Sequence, residues 1–367
     1  MSTPQAVSPT VLPAGSAGGQ RPAGMARWID GRGWFVLAVF GALALFPLVA
    51  GSFGLDFVTK VMIFAIFALS LELLVGSTGL VCFGHAAFFG IGAYATVLLS
   101  PADGPASLAW LLPAGVLLAG LYAVGVGALS LRTKGVYFIM VTLAFAQMAY
   151  YVVHDTPLGG GTDGIYLNFK PALGAWTPLD SALGQYVFTL VCLVGVFGLL
   201  ALLLRSRFGR ALAGIKVNEQ RMRATGFSTY PYKLAAFTVS GALAGLAGFL
   251  FAVKDGFVNP ELLSWHFSGA VLIMIILGGL GHLRGALVGA FAFALLQEFF
   301  QSEAVFGAFA KHWHLGLGLT IIISVAALPH GLVGLPAVWR ERRERRNRHQ
   351  MQGSHPIAGK TPSETEA

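Results

Sequence analysis

The sequence predicts an all-α, polytopic integral membrane protein. Of the 367 residues, 56% are hydrophobic and 11% are charged, whereas a soluble domain carries roughly 25% charged residues. Apolar runs of about seventeen residues or more recur along the chain, and each is long enough for a membrane-spanning helix. Few runs alternate in polarity, which argues against an outer-membrane β-barrel.

Ten apolar segments are predicted to cross or enter the membrane. In chain order they cover residues 34–50, 57–75, 85–99, 108–131, 136–153, 186–204, 232–253, 269–280, 286–300 and 315–328. Segments 85–99 and 269–280 are too short to cross about 30 Å as straight helices at about 1.5 Å per residue. Both adjoin glycine clusters, so we expect broken or re-entrant helices whose freed backbone is covered by protein or by a water-filled cavity.

The distribution of Lys and Arg predicts the orientation. An even number of spans places both termini on one side of the membrane. In that arrangement all but four of the 24 Lys and Arg residues share the side of the termini, and the four exceptions are Lys60, Lys170, Lys254 and Lys311. Basic loops stay in the cytoplasm, so we expect a multi-pass protein with cytoplasmic termini.

The chain divides into three regions. Residues 1–33 are rich in Pro, Gly, Ala and Ser and are predicted to be a disordered cytoplasmic arm. Residues 34–335 form the predicted transmembrane domain, and residues 336–367 a basic, disordered cytoplasmic tail. The arginine run at 340–348 is interpreted as a segment attracted to anionic lipid, and no nucleic-acid partner is expected.

Residues 204–233, called the polar loop below, interrupt the apolar sequence. Four apolar side chains fall near one helical face: Ala211, Leu212, Ile215 and Met222. Glu219 stands four residues before Arg223, a favourable helical pair, and Gly226 is a natural helix stop. Such a helix is suited to a groove on a soluble partner. Alternatively, its charges serve only to fix the topology.

Four sequence blocks resemble the permeases of branched-chain amino-acid ABC importers. They are Gly76-x-x-Gly79 with Gly84 to Tyr94, Leu131-Arg132-x-Lys134-Gly135 with Thr142 to Phe145, Gly278-Gly279-Leu280-Gly281 with Gly285 and Gly289, and Pro329-x-Gly331-Leu332-x-Gly334. The polar loop adds Gly209-Arg210-Ala211, Ile215-Lys216, Asn218-Glu219 and Gly226. Together the blocks extend over roughly residues 57–335, most of the chain.

The resemblance implies a permease subunit in a bacterial inner membrane. Its partners would be membrane lipid, a second homologous permease, two cytoplasmic ATPase subunits and an extracytoplasmic substrate-binding protein. ATP and Mg²⁺ would bind to the ATPase subunits, and this chain would hold no cofactor or metal. It carries no HExxH, GxSxG or paired-carboxylate pattern, so it is not expected to be an enzyme.

The resemblance also implies roles for individual residues. In that family the polar loop resembles the coupling helix that docks on an ATPase subunit, which implicates Gly209, Arg210, Lys216, Asn218, Glu219 and Gly226. The candidate substrate pathway comprises Glu72, His85, Tyr94, Tyr137, Thr142 and Gln147. Glycines that allow close helix packing are Gly278, Gly279, Gly281, Gly285 and Gly289.

Departures from the family pattern keep the substrate open. Leu80, Cys82, Glu72 and Gln147 stand where glutamine, serine, asparagine and glutamate are expected, and Met222 where a small alanine is expected. A urea- or amide-type ABC permease of the same architecture therefore remains an alternative. So does an ion-coupled secondary transporter, although Glu72 is its one good membrane carboxylate.

Two of the pathway candidates have a second interpretation. Glu72 either faces a cavity or partner inside the membrane, or lies close to the cytoplasmic interface, since it precedes Gly76 by one helical turn. His85 either lines the pathway or forms a structural hydrogen bond, and the structural role is favoured.

Overall fold

The computed structural model describes residues 32–101, 103–172, 179–302, 306–327 and 331–334. Its helices are α1 (Arg32–Leu45), α2 (Ser52–Thr78), α3 (His85–Leu98), α4 (Leu108–Ser130), α5 (Val136–Asp155), α6 (Ala182–Arg205), α7 (Arg207–Val217), α8 (Glu219–Ala224), α9 (Thr229–Asp255), α10 (Trp265–Gly278), α11 (Leu283–Gln301) and α12 (Trp313–Ala327). Two short strands, β1 (Ile165–Tyr166) and β2 (Phe257–Val258), pair antiparallel. The predicted all-α class is confirmed.

The predicted spans correspond to apolar helices in the described part of the chain. Seven are long and apolar enough to cross a membrane, namely α2, α4, α5, α6, α9, α11 and the helix that begins at Trp313. Three shorter apolar helices are Val36–Leu48, His85–Leu98 and Trp265–Gly278. The two segments expected to be short are therefore short, and the chain is a multi-pass membrane protein. Most of the predicted arm and the whole tail lie outside the described residues.

The chain divides into two units, Met1–Leu43 and Ala44–Ala367. In the first unit the structure describes the greater part of α1. In the second unit α2 is central and is buried along almost its whole length, from Val58 to Val75. It packs against α6, α9 and α11, while α9 also packs against α3 and α4. By contrast, only a small part of α5 and α6 is buried.

Glycines bring the central helices close together. A side chain on Gly92 of α3 would collide with the backbone of Gly245 in α9, and one on Gly248 would collide with the carbonyl of Phe89. Gly241 makes a similar approach to Ala123 of α4. Backbone-to-backbone packing of this kind is a common way to join membrane helices, which gain little from the hydrophobic effect in lipid.

The chain between α2 and α3 is a non-helical stretch that lies inside the protein, where neighbouring helices cover it. Gly79 (φ +74°) ends α2 in the left-handed conformation, and Gly84 lies so close to the carbonyl of Thr142 that a side chain would not fit. The next residue, His85, bonds to Ser70, two helical turns before the end of α2. Thus α3 begins inside the protein, where neighbouring helices cover the freed backbone.

The two ends of the second unit differ in structure. The polar loop lies at the end where α2 finishes. At the opposite end, the ammonium of Lys254 pairs with Asp56 at 3.1 Å and with Asp255 at 2.8 Å. There β1 also pairs with β2, and the Leu167 N–H donates to the Gly256 carbonyl at 2.8 Å. The strand pair and the Leu167 bond join the segment after α5 to the end of α9, and the Lys254–Asp56 pair joins the end of α9 to the start of α2.

Candidate functional site

The polar loop begins with the amphipathic helix α7. Ser206 caps it by accepting hydrogen bonds from the N–H groups of Phe208 and Gly209 at 3.2 and 3.4 Å. A side chain on Gly209 would collide with the backbone of Leu204, so glycine is required where α7 turns away from α6. Three members of the predicted apolar face, Ala211, Leu212 and Ile215, are buried in α7, whereas the fourth, Met222, lies on the next helix and is only partly buried.

Asn218 divides the polar loop into two helices. We expected one amphipathic helix, but the Asn218 backbone is extended (φ −159°, ψ 98°) and its Oδ1 accepts the Arg221 N–H at 2.9 Å. Asn218 therefore caps α8, and an elbow forms between α7 and α8. Val217 stands at this elbow with 84% of its surface exposed.

The unexpected methionine of the polar loop packs against a glycine. Met222 of α8 lies over Gly214 of α7, and its sulfur would be 2.9 Å from a Cβ at that position. Gly214 thus leaves the space that a larger side chain at position 222 requires. The pair holds the two short helices together.

Glu219 ties α8 to the start of α9. Its Oε2 pairs with the Lys233 ammonium at 2.6 Å, and its Oε1 accepts hydrogen bonds from Arg223 at 2.6 Å and Thr229 at 2.9 Å. The predicted Glu219–Arg223 pair is confirmed. Partial burial raises the pKa of the Glu219 carboxyl, but the bonds from Lys233, Thr229 and Arg223 outweigh it and lower the pKa from 4.5 to about 2.

Gly226 ends α8 as predicted. Its φ is +86°, a conformation that other residues adopt at a cost. The Gly226 N–H donates to the Arg223 carbonyl at 2.9 Å, and the Phe227 N–H donates to the Met222 carbonyl at 3.0 Å. This paired ending is the Schellman motif.

The outer face of the polar loop is positively charged. Within the polar loop, Arg205, Arg207, Arg210 and Arg221 are exposed, and so is Val217. Glu219 is the one acidic residue in 204–233, and its charge is neutralised by its own bonds within the chain. The face therefore offers cations around an exposed apolar side chain, which suits an acidic-rimmed groove.

Glu72 lies at the junction of α2 with the α10–α11 break. It is 3% exposed, and its Oε1 accepts the Gly281 N–H at 2.6 Å. The carboxylate folds back over Gly76, where it fills the space of a missing side chain. The Gly76 carbonyl in turn accepts a hydrogen bond from the Lys216 ammonium at 2.7 Å. The structure thus joins two predicted site residues, Glu72 and Lys216, that belong to different groups.

His85 forms part of the interior. Ser70 donates its hydroxyl proton to the Phe67 carbonyl at 2.7 Å, so His85 Nε2–H must donate to Ser70 Oγ at 2.8 Å. The ring also stacks on Phe67, with 5.4 Å between ring centroids. Ser240 of α9 donates to the Ser70 carbonyl at 2.5 Å. These bonds join α2, α3 and α9, which supports the structural interpretation of His85.

The other pathway candidates differ in exposure and in their hydrogen-bond partners. Tyr94 is buried, and its hydroxyl reaches the Gly159 carbonyl at 3.5 Å. Thr142 is buried and donates to the Ile139 carbonyl at 2.9 Å. Tyr137 is 73% exposed, while Gln147 is half-buried in a shallow depression on the outer face of α5. Their roles in transport stay predictions.

Three of the packing glycines lie where α10 and α11 cross. A side chain on Gly278 would collide with the Gly285 carbonyl, and one on Gly289 with the Met274 carbonyl. Gly279 and Gly281 lie in the break itself, with φ of 114° and 85°. The fourth sequence block is described only in part, and in it Gly331 lies against Gly278 and Gly279.

Comparison with known proteins identifies the family. Residues 54–326 match the family described as branched-chain amino acid transport system / permease component. The chain belongs to this permease family. The permease is 31% identical to the high-affinity branched-chain amino acid transport system permease protein LivM of Salmonella typhimurium, over 82% of this chain and 74% of that protein.

Other relatives agree with this assignment. The permease is 30% identical to LivM of Escherichia coli, again over 82% of this chain and 74% of that protein. It is 28% identical to the probable permease LivH of Methanocaldococcus jannaschii, over 41% of this chain and 48% of that protein. No solved structure matches the permease.

Two features of the permease were not foreseen. Lys233 binds Glu219 across fourteen residues of sequence, a distance that no helical spacing rule covers. Val217 was not among the predicted site residues. The sequence does contain a signal for it, since Asn218 followed by an acidic residue is a common helix start. Such a start predicts the elbow that exposes Val217.

Proposed function

We propose that this chain is the membrane-spanning subunit of an ABC importer for branched-chain amino acids, in which separate ATPase subunits drive alternating access. The family assignment supports this proposal. In it, the permease lies in a bacterial inner membrane with both termini and the polar loop in the cytoplasm. It pairs with a second permease, and an extracytoplasmic binding protein delivers the substrate. ATP and Mg²⁺ bind to the two ATPase subunits.

The observation that carries the proposal is the α7–α8 elbow. It is held on both sides, by the Lys216 bond to Gly76 and by the Glu219 bond to Lys233. Because both anchors are within the chain, a force on Val217 is passed to the membrane helices instead of bending the loop. Arg210, exposed on α7 about two turns before the elbow, adds a positive charge that favours an acidic partner.

In this proposal Glu219 and Gly226 shape the docking surface from within. Glu219 fixes the direction in which α8 leaves the elbow, and Gly226 ends it. Gly209 and Asn218 set the two turns of the loop. The contacts with the ATPase subunit then come from Val217, Arg210 and neighbouring exposed side chains.

The function is tested in proteoliposomes that hold the permease, its paired permease and the ATPase subunits, with the binding protein outside. We expect ATP-dependent uptake of labelled leucine, isoleucine or valine. Urea and small amides are offered as competitors, and inhibition by them but not by leucine would replace the proposed substrate. Uptake driven by an ion gradient without the ATPase subunits would overturn the whole proposal.

The elbow is tested by changing Val217. In Val217→Asp a charge would have to enter an apolar contact, so affinity for the ATPase subunit should fall about ten-fold or more. Val217→Thr is the matched control, because it keeps the β-branched shape and adds a hydroxyl but no charge, so it should lower the affinity by less than Val217→Asp does. Equal affinities for Val217→Asp and the unmodified permease would show that docking occurs elsewhere.

A further inference from the structure

A continuous series of contacts runs from the polar loop to the α10–α11 break. Lys216 of α7 donates to the Gly76 carbonyl at 2.7 Å. Over the same glycine lies the Glu72 carboxylate, which the positive charge of Lys216 attracts. Glu72 then accepts the Gly281 N–H at 2.6 Å. The series crosses three parts of the chain that are far apart in sequence.

Gly76 makes this series possible. A Cβ at position 76 would occupy the position of the Glu72 carboxylate, so any larger residue would displace the carboxylate from Gly281. The Gly76 carbonyl remains free to accept from Lys216 because it lies in the last turn of α2, where helix carbonyls lack partners within the helix. One residue thus serves both neighbours.

Stability alone does not explain why position 72 carries a buried polar side chain. The side chain is buried, and its carboxylate faces the backbone N–H groups of Gly281 and His282 in the break. Burying a carboxylate is unfavourable even when backbone N–H groups face it, and an apolar side chain of similar size usually serves stability as well or better. A function that needs an acceptor for the Gly281 N–H explains why a buried polar side chain is present.

The break that Glu72 contacts is a suitable moving part. Gly279 and Gly281 have φ of 114° and 85°, which ordinary helical residues do not adopt. The crossing of α10 with α11 beside it contains glycines in close backbone contact. A joint with few side chains can change its dihedral angles with little repacking, as hinge positions often do.

We propose that Glu72 and Lys216 are positioning residues that transmit movement of α7 to the α10–α11 break. This inference rests on the proposed function. When a partner shifts the elbow, Lys216 moves the end of α2, and Glu72 moves Gly281 with it. Glu219, by contrast, holds α8 to α9 and does not belong to this series. Two routes therefore lead from the elbow into different helices.

The test uses the complete complex in proteoliposomes. Leu280, which is 47% exposed in the break, is changed to cysteine in a Cys192→Ala background, and its rate of thiol labelling is compared with and without ATP. Glu72→Leu removes the acceptor for Gly281, whereas Glu72→Gln keeps it. We expect the ATP-dependent change in labelling to shrink about ten-fold in Glu72→Leu and to persist in Glu72→Gln.

The control variant is Thr78→Val. Thr78 is a buried polar residue at the same end of α2, and it bonds only within that end, to the Leu74 carbonyl and the Leu80 N–H. It should leave the ATP-dependent labelling unchanged. Uptake per ATP hydrolysed should fall in Glu72→Leu and in Lys216→Met, and the double variant should be no worse than the more severe single variant.

The outcomes separate the two proposals. An equal ATP-dependent change in Glu72→Leu and the unmodified complex, with normal uptake, overturns the positioning role while the proposed function stands. Size-exclusion chromatography detects poor folding of Glu72→Leu. If that variant folds poorly, Glu72→Gln decides the question: loss of the ATP-dependent labelling change in Glu72→Gln would reject the role of residue 72 as the acceptor for Gly281. No ATP hydrolysis by the unmodified complex would overturn both proposals.

Discussion

Replacing Glu219 with alanine is expected to release α8 from α9. The Lys233 pair contributes most, because Lys233 and Glu219 are only 13% and 21% exposed at their side chains. Arg223 is 54% exposed, so its pair should contribute about 0.5 kcal/mol. A pKa lowered from 4.5 to about 2 corresponds, at about 1.4 kcal/mol per unit, to about 3.5 kcal/mol in favour of the ionised form, and solvent screening at this partly exposed carboxylate reduces it to about 2–3 kcal/mol.

The sign of the pH dependence follows from the lowered pKa. The folded pKa of Glu219 is below its ordinary value, so the stabilisation is complete above about pH 4.5 and is lost as the pH falls toward 2. At pH 7 the network is intact. The opening of α8 should therefore become easier between pH 4.5 and 2 in the unmodified protein but not in Glu219→Ala.

Hydrogen–deuterium exchange of the α8 amides measures these effects. At pH 7, Glu219→Ala should raise the opening equilibrium of α8 about 100-fold, and Arg223→Ala only about two-fold. The adjacent exposed residue supplies a control, Gln220→Ala, which should leave the opening equilibrium within about two-fold. A larger effect for Arg223→Ala than for Glu219→Ala would refute the reasoning, because it would place the main bond on the exposed side.

Two further predictions concern packing. Gly209→Ala should lower thermal stability and coupling, because the new methyl group would collide with the Leu204 backbone. Gly198→Ala in α6 is the control and should be tolerated, because there is open space around Gly198. A thermal-shift assay in detergent compares the two variants, and equal shifts in melting temperature would contradict the collision. His85→Phe should cost about 1–3 kcal/mol, because it leaves the buried polar atoms around Ser70 without this partner; an unchanged melting temperature would count against that bond.

The apolar spans could be predicted from the sequence, but their burial could not. The helices are apolar on all sides, so periodicity does not show that α2 is central while little of α5 and α6 is buried. Burial depends instead on which helices meet, as at Gly92 and Gly245. These two glycines are too far apart in sequence for any local pattern to pair them.

The same limit applies to the site. The capping and stop residues of the polar loop, Asn218 and Gly226, follow local rules and could be recognised in advance. The bond between Glu72 and Gly281 joins residues 209 positions apart, and nothing near either residue indicates the other. Glu72 was singled out because of its charge, but its partner is visible only in the fold.

The strand pair at the end opposite the polar loop limits where the permease can open. Through β1 and β2 and the bond from Leu167 to Gly256, the segment after α5 is fastened to the end of α9, so these two helices should travel as one body there. A gate at that end must then form along some other boundary, such as the exposed side of α5. A cross-link between Ile165 and Val258 would accordingly leave uptake intact, in contrast to one that joined α5 to a neighbouring subunit.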